Sequence, residues 1–510
     1  MQNVNDIIEL MRSPTASDRA LVTKAFDFSK LHHEGQKRFS GEPYFIHPFE
    51  TAKNLARLGM DVTTISAGLL HDVVEDGHVS TEEIEKEFGK EILFLIEGVT
   101  KLGKLKYRGL ERHTESLQKL FVAMSQDLRV LIIKLTDRMH NMQTLEFVPE
   151  EKRKRIAMET LEIYAPLAYR LGMSKLKGDL EDLAFPYVYP KEFEKVKKVI
   201  EEKSLETRES LEKIETQLKE EFIKEKIVGA KVDTRVKHLY SLYLKLERKD
   251  WDIEKIYDIL AIRIVVPTLT DCYRVLGIVH GLWRPLPGRI KDYTAVPKPN
   301  GYKSIHTTIF SGDGAIIEVQ IRTDDMHRDA EFGIASHLSY KEAVATGRIS
   351  QYSKNFLWIA KLLPNFARPT SLSDEKNSNE SPETMPAWIK QLAEIHAETF
   401  DPKEFLNNLK TDFFEHRVFT FTPQGDVIDL PLNSSPIDFA YSIHSDIGDH
   451  IAGVKVNGKM VSLDTPLKNG DIVEVVTKKS SRPSAKWLEM AKTTVAKRHI
   501  RNALENQNKN

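Results

Sequence analysis

Cysteine is almost missing from this chain: Cys272 stands alone among 510 residues. A single thiol makes no intrachain disulfide and no cysteine-built zinc site, so a metal centre would rest on imidazole and carboxylate. Long apolar runs are missing too. No stretch approaches the roughly 20 residues that a helix needs to cross a bilayer. The N-terminal MQNVNDIIELMRSPTASDRA also lacks the basic-then-apolar order of a cleaved leader. No membrane partner is expected, and the expected location is the cytoplasm. A surplus of either charge is lacking as well. The net charge of −1 argues against bulk electrostatic attachment to nucleic acid and leaves only local basic patches. What remains, 41% hydrophobic and 29% charged residues, is the composition of a globular protein, and the length suggests roughly three or four domains.

From the start to residue 190 the pattern is helical almost throughout, as in GKEILFLIEGVTKLG and DLRVLIIKLTDRMHNMQTL. Residues 191–227 are laced with charge and read as an exposed helix or helical hairpin connecting two units. The period then changes. AIRIVVP and AIIEVQIRT have strand length and pattern, which makes residues 228–345 mixed α/β. Residues 346–414 include RPTSLSDEKNSNESPETMP, a segment with little to bury that reads as a loop or linker. Short strands separated by TPQGD, VNGK and KNGD turns follow over 415–478, and 479–510 form a basic helical tail.

Two groups of residues carry chemistry. In the helical region stand His47 in YFIHP, His71 and Asp72 in LLHDVVEDG, and Asp137 in KLTDRMHN. Two imidazoles and two carboxylates suit a borderline divalent ion such as manganese or iron. On a helical LLHDVVED, His71 and Glu75 lie one turn apart, as do Asp72 and Asp76, and Asn141 shares a face with Asp137. Burying so many ionisable groups beside an apolar run would be costly without a ligand. A bound cation would acidify a water, which Glu75 and Asp76 could orient or deprotonate. Arg38, in GQKRFSGEP, offers a guanidinium fork to phosphate oxygens.

In the α/β region, RVKHLYSLYLKLERK spaces Lys237, Ser241 and Lys245 four apart, with Arg235 just before them. If helical, this is a basic stripe fit to cradle a triphosphate. Strand alternation puts Glu318, Gln320 and Arg322 on one face of IIEVQIRT. Asp258 and Glu318 are then a carboxylate pair for magnesium, which prefers oxygen ligands and substrate phosphates. The alternative makes such an acid a salt-bridge partner of Arg322. PKPNGYKSIHT adds Lys298, Asn300 and His306 as polar contacts, with Tyr302 placed to stack on a purine. Cations and positioned oxygens are most of what phosphoryl-type transfer asks of a protein.

GEPYFIHP, LLHDVVED, KLTDRMHNM, YAPLAYRLG, DYTAVPKPNGYKSIHTT, EVQIRT and DFAYSIH occur here in one order. With them the chain resembles the long RelA/SpoT-homologue family of alarmone enzymes. The resemblance implies an all-α HD-type domain, then an α/β nucleotidyltransferase-like domain, then a small β-grasp-like TGS domain. The first would be a manganese-dependent hydrolase that removes the 3′-pyrophosphate of (p)ppGpp. His47, His71, Asp72 and Asp137 would hold the metal, Glu75 and Asp76 would be catalytic, and Arg38 and Asn141 would touch the nucleotide. The second would move the β,γ-pyrophosphate of ATP to the 3′-OH of GDP or GTP. Asp258 and Glu318 would hold magnesium there, and Glu318 would help deprotonate the hydroxyl. Arg235, Lys237, Ser241, Lys245 and Arg263 would serve ATP, and Tyr302 would stack on the acceptor guanine beside Lys298, Asn300 and His306. The Arg289-Ile290-Lys291-Asp292 motif resembles the basic form carried by bifunctional members, which adds Lys291 to the site.

The TGS-like segment nominates His444, in FAYSIH, for sensing uncharged tRNA on the ribosome. Three positions depart from the family pattern: Tyr169 where His is usual, Gly77 for Thr, and Leu338 for Trp. Family members of this class continue into helical, zinc-finger-like and ACT regions, which this chain is expected to lack. The favoured reading is a bifunctional enzyme. The alternatives are a hydrolase whose α/β domain only senses nucleotide, and a ribosome- or tRNA-binding regulator.

Overall fold

The computed structural model describes residues 2–103, 127–298, 300–312, 314–337 and 417–509. The segment 346–414 read as a linker, and Leu338, lie outside the described residues. The chain forms two compact units, one of residues 1–100 and 129–346, the other of residues 101–128 and 347–510.

The first unit begins all-helical. Helices α1 (Ala16–His32), α2 (Ile46–Arg57), α3 (Val62–Leu70), α4 (Thr81–Phe88) and α5 (Lys90–Gly103) precede α6 (Leu128–Gln143), α7 (Glu150–Glu159), α8 (Ala165–Arg170) and α9 (Ser174–Val188). α3 is the central rod. Asp61 caps it by accepting from the Thr64 amide at 2.8 Å. From Thr64 onward every residue of α3 is buried, and the helix packs against both α1 and α2.

The charged stretch after Pro190 is one helix, α10 (Pro190–Lys224), not a hairpin. It is not wholly exposed either. Val196, Leu211, Ile214, Leu218 and Phe222 bury one of its faces in the core of the α/β region. That region is a five-stranded sheet in the order β1-β2-β5-β4-β3, formed by β1 (Lys231–Val236), β2 (Leu260–Val266), β3 (Lys291–Asp292), β4 (Ile305–Phe310) and β5 (Ile316–Thr323). Only the β2–β5 pairing is parallel. Helices α11 (Leu239–Glu247), α12 (Leu269–Leu282) and α13 (Asp324–Phe332) accompany it. Ile262, Ile264, Val319, Ile321, Ile305 and Ile309 are fully buried, which leaves the alternate residues of these strands on the opposite face.

In the second unit β6 (Arg417–Phe421) pairs with β7 (Val427–Pro431), and β8 (Ile451–Val456) lies between β9 (Lys459–Val461) and β10 (Val473–Thr477). Helices α14 (Pro436–Ile443), α15 (Ser445–Asp449) and α16 (Thr494–Lys509) complete it. The stretch read as a basic tail is part of this core: Trp487, Ala491, Ala496 and Ile500 pack with Val418, Phe439 and Val454. Buried Asp438 holds the return, accepting from the Lys492 amide at 2.9 Å and from the Thr493 amide at 2.7 Å.

Candidate active sites

Three helical segments converge on the first site. His47 enters from the first turn of α2, His71 and Asp72 from the end of α3, and Asp137 from the middle of α6. Ligand atoms of His47, His71 and Asp137 lie within 4.8 Å of one another, the only such metal-competent group among the described residues. Proton bookkeeping decides what the space between them holds. His71 Nδ1 is 2.8 Å from the Gly68 carbonyl oxygen, so it must carry the proton, and Nε2 is left with a bare lone pair. That Nε2 is buried without a hydrogen-bond partner. His140 Nδ1 receives Arg38 Nη1 at 2.8 Å and His47 Nδ1 at 2.9 Å. A guanidinium only donates, so His140 Nδ1 accepts, and His47 Nδ1 is the second donor. His47 Nε2 therefore also presents a lone pair, 3.1 Å from Asp137 Oδ1 and 3.5 Å from Asp72 Oδ2. Asp72 Oδ1 stands 3.3 Å from His71 Nε2. Lone pairs and carboxylate oxygens facing one another without a proton between them call for a cation, and the donor set fits a divalent ion.

The surroundings tune these groups. Burial raises the Asp137 carboxyl, but Lys134, whose Nζ is 2.6 Å away, outweighs it and holds the group well below the usual range. Asp72 is likewise lowered against its desolvation, with Lys134 among the opposing charges. Burial, with His47 and Arg38 adjacent, pulls His140 down to about 3, so it stays a neutral acceptor. Asn141 links Arg38 to the centre: its Oδ1 accepts from Arg38 Nη2 at 2.7 Å, and its Nδ2 donates to Asp137 Oδ1 at 2.6 Å. The Tyr44 hydroxyl lies 3.0 Å from Asp72 and 2.8 Å from Asp76, while Glu75 is half-buried one turn after His71.

The second site lies on the polar face of the sheet. Cross-strand register sets Arg235 opposite Ala261, Ala261 opposite Glu318, and Arg263 opposite Gln320. The same register brings His306 opposite both Gln320 and Lys291. Above them opens a cleft of about 510 Å³, lined by Arg235, Lys237, Lys245, Asp258, Arg263, Lys291, Lys298, Asn300, Tyr302, His306 and Glu318 among others. All the sequence-nominated residues of this site except Ser241 line the cleft. Ser241 turns instead to Glu181 Oε2 at 3.3 Å. The basic stripe is not a single helix either: β1 runs to Val236, α11 starts at Leu239, and Lys237 sits in the turn between them. It still meets Lys245, because both ammonium groups donate to Asp258 Oδ2, Lys237 at 2.6 Å. Burial raises Asp258, but the two lysines overcome it and hold the carboxyl far down. Burial also brings Lys237 down to about 8, and Lys298 to about 8 with help from Lys291.

Glu318 does not pair with Arg322. Its Oε1 accepts from His306 Nδ1 at 2.9 Å, and its Oε2 accepts from Gln320 at 3.2 Å. His306 Nε2 then accepts from the Tyr302 hydroxyl at 2.9 Å, which makes a continuous Tyr302–His306–Glu318 chain. Lys298 Nζ sits 4.7 Å over the Tyr293 ring and 4.9 Å over Tyr302.

Comparison with known proteins follows the same division. Residues 25–174 match the HD domain family, residues 234–345 the region found in RelA / SpoT proteins, and residues 418–477 the TGS domain. The chain is 43% identical over 486 residues to a guanosine-3′,5′-bis(diphosphate) 3′-pyrophosphohydrolase of Aquifex aeolicus, covering 95% of this chain and 65% of that one. It is 44% identical over 498 residues to a GTP pyrophosphokinase of Myxococcus xanthus, covering 96% of this chain and 61% of that one. The chain carries HD, RelA / SpoT and TGS regions and is similar to these two enzymes along nearly its whole length. It spans less than two thirds of the length of these curated relatives.

The helical region also builds part of the second cleft. Tyr169, Ser174, Lys175 and Asp179 line its edge. Asp182 on α9 accepts from the Tyr240 amide at 3.0 Å and from His238 Nδ1 at 2.8 Å, so it caps α11 in place of the absent local cap. A Cβ on Gly178 would fall 2.3 Å from the His238 ring. Gly333, at φ +55°, abuts the Leu171 carbonyl, and a Cβ there would meet that oxygen at 2.2 Å. Sequence reasoning missed His140, Tyr44 and Asp182. His140 carried one signal, its place a single turn from Asp137 on α6. Asp182 carried none.

His444 is exposed, and its Nδ1 accepts from the Asp446 amide at 3.1 Å as the N-cap of α15. Among the described residues no helix is long and apolar enough to cross a membrane.

Proposed function

We propose that this protein both degrades and makes guanosine 3′-polyphosphates, at two separate sites in its first unit. The observation that carries the reading is the coexistence in one chain of a His47–His71–Asp137 group with Asp72 beside it and a basic cleft with two acids.

For hydrolysis, the bound divalent ion, manganese in this reading, would acidify the attacking water and polarise a phosphoryl oxygen. His47, His71, Asp72 and Asp137 would hold it. Arg38, positioned by His140 and Asn141, binds the 3′-pyrophosphate. Glu75 and Asp76 take the proton from water as its oxygen joins phosphorus. The bond from the 3′-oxygen to phosphorus breaks, releasing pyrophosphate and GDP or GTP.

For synthesis, the 3′-oxygen of GDP or GTP attacks the β-phosphorus of ATP. The bond from that phosphorus to the α,β-bridging oxygen breaks, and AMP leaves. Arg235, Lys237, Lys245 and Arg263 neutralise the ATP phosphates, and Tyr302 stacks on the acceptor guanine beside Lys298 and Asn300. Glu318 takes the hydroxyl proton, with its free orientation limited by His306. Magnesium, shared between Asp258, Glu318 and substrate phosphates, would offset the developing charge. The lysines on Asp258 would then swing to the phosphates. The TGS region, with exposed His444, is read as the contact with uncharged tRNA on the ribosome, in the cytoplasm.

The test is a paired assay of the purified chain: ATP, GDP and Mg²⁺ in one reaction, ppGpp and Mn²⁺ in the other. The proposal expects ppGpp with AMP in the first and GDP with pyrophosphate in the second. Hydrolysis without synthesis would reduce the α/β region to a nucleotide sensor.

A further inference from the structure

Arg322 is a large side chain that the folded first unit buries completely, at 1% exposure. β-strand alternation keeps it on the face of β5 that carries Glu318 and Gln320, and it lines the floor of the cleft. Its Nε and Nη2 are buried without a hydrogen-bond partner. The nearest acid is Glu331, 3.7 Å from Nη2, and Glu331 Oε1 is already engaged by Arg263 Nη1 at 3.2 Å. A guanidinium does not shed its proton. A charge at this depth whose neighbouring carboxylate is shared with Arg263 works against folding, because desolvation is incompletely repaid. A core role would be served better by an apolar side chain of the same length.

We propose that Arg322 is a substrate-binding residue whose two unmatched N–H groups receive phosphate oxygens of a purine nucleotide in the synthetase cleft. The planar fork suits two adjacent oxygens, and burial strengthens the bond once it forms. Phosphates of the donor, ATP, and of the acceptor, GDP, share this chemistry. The inference rests on the synthetic reading of the cleft and adds a residue to it.

The test compares wild type, Arg322→Met and Arg322→Lys by thermal melting without ligand and by calorimetric binding of α,β-methylene-ATP and of GDP, each alone. Removing an incompletely compensated buried charge should raise Tm of the unliganded Met variant by about 2–6 °C. Affinity for one of the two nucleotides should fall by about 10- to 100-fold, as for a lost charged hydrogen bond. The nucleotide affected identifies the donor or the acceptor phosphates. Arg322→Lys, which keeps charge but not the fork, should retain part of the affinity. Hydrolysis of ppGpp, measured in parallel, should stay within about two-fold of wild type. A lower Tm in the Met variant, or affinities for both nucleotides unchanged, overturns the assignment and makes Arg322 structural. If wild type itself binds neither nucleotide, the synthetic reading and the role of Arg322 fall together. If wild type binds and the variant binds equally well, only Arg322 falls.

Discussion

Replacing Asp182 with alanine should weaken synthesis while sparing hydrolysis, although Asp182 belongs to α9 of the helical region. Its carboxylate supplies two bonds to the α/β region, to the Tyr240 amide at 3.0 Å and to His238 Nδ1 at 2.8 Å. Loss of an N-cap acceptor costs about 0.5–2 kcal/mol, and loss of a hydrogen bond to a charged group about 1.5–3 kcal/mol. Both side chains are about one-quarter exposed, at 26% and 23%, so solvent screens the pair. The lower part of the sum, about 2–3 kcal/mol, is therefore expected, or a Tm drop of about 4–10 °C. α11 carries Lys245, which meets Lys237 on Asp258. An uncapped first turn should loosen that cluster and raise KM for ATP by about five- to ten-fold, with a smaller change in kcat. Asp182→Asn keeps an oxygen for the Tyr240 amide and should recover much of the KM. The assay is steady-state synthesis against ATP for both variants, with ppGpp hydrolysis and melting curves on the same preparations. If Tm falls but KM for ATP stays put, α11 does not transmit the cap to the cleft. If hydrolysis falls as much as synthesis, the damage is general and the argument fails.

Gly333→Ala should destabilise the first unit by about 2–4 kcal/mol, since the new methyl would sit 2.2 Å from the Leu171 carbonyl at a positive φ; denaturant unfolding checks it. His47→Ala should abolish stoichiometric Mn²⁺ retention and ppGpp hydrolysis while ATP-dependent synthesis persists, read by metal analysis after gel filtration and by the two assays. ATP affinity should fall as pH rises through about 8, because Lys237 is held near there and a bound phosphate favours its charged form. Binding thus takes up protons, and calorimetry in two buffers of different ionisation heat should show uptake; release would contradict the assignment. Asp438→Ala should free residues 479–509 from the second unit, since it removes the acceptor of the Lys492 and Thr493 amides. Limited proteolysis would then cut near Thr493 in the variant and not in wild type.

The grouping of His47, His71 and Asp137 was legible because each lies in a short motif where ionisable groups interrupt an apolar helix, as His71 and Asp72 do after the leucines of LLHD. His140 was not, because its work is to orient His47 across 93 residues of chain, and spacing carries no record of such a contact. Alternation on β2 and β5 revealed which face of the sheet is polar. It could not reveal that Arg322 is sealed within that face while Glu318 pairs with His306. The Lys237–Ser241–Lys245 stripe was misplaced for a simple reason: strand β1 extends to Val236 and uses the residues that a longer helix would need. Its two lysines nevertheless converge, since both reach Asp258 from either side of the turn. The charge pattern of α10 hid an apolar stripe that anchors it in the sheet's core.

The measurement that bears most directly on two independent sites is a double dissociation. Asp72→Asn and Asp258→Asn proteins would each be assayed for ppGpp hydrolysis and for ATP-dependent ppGpp synthesis. The account predicts that Asp72→Asn loses hydrolysis by at least about 100-fold and keeps synthesis, and that Asp258→Asn does the reverse. Loss of both reactions in either variant, or of neither, would contradict it.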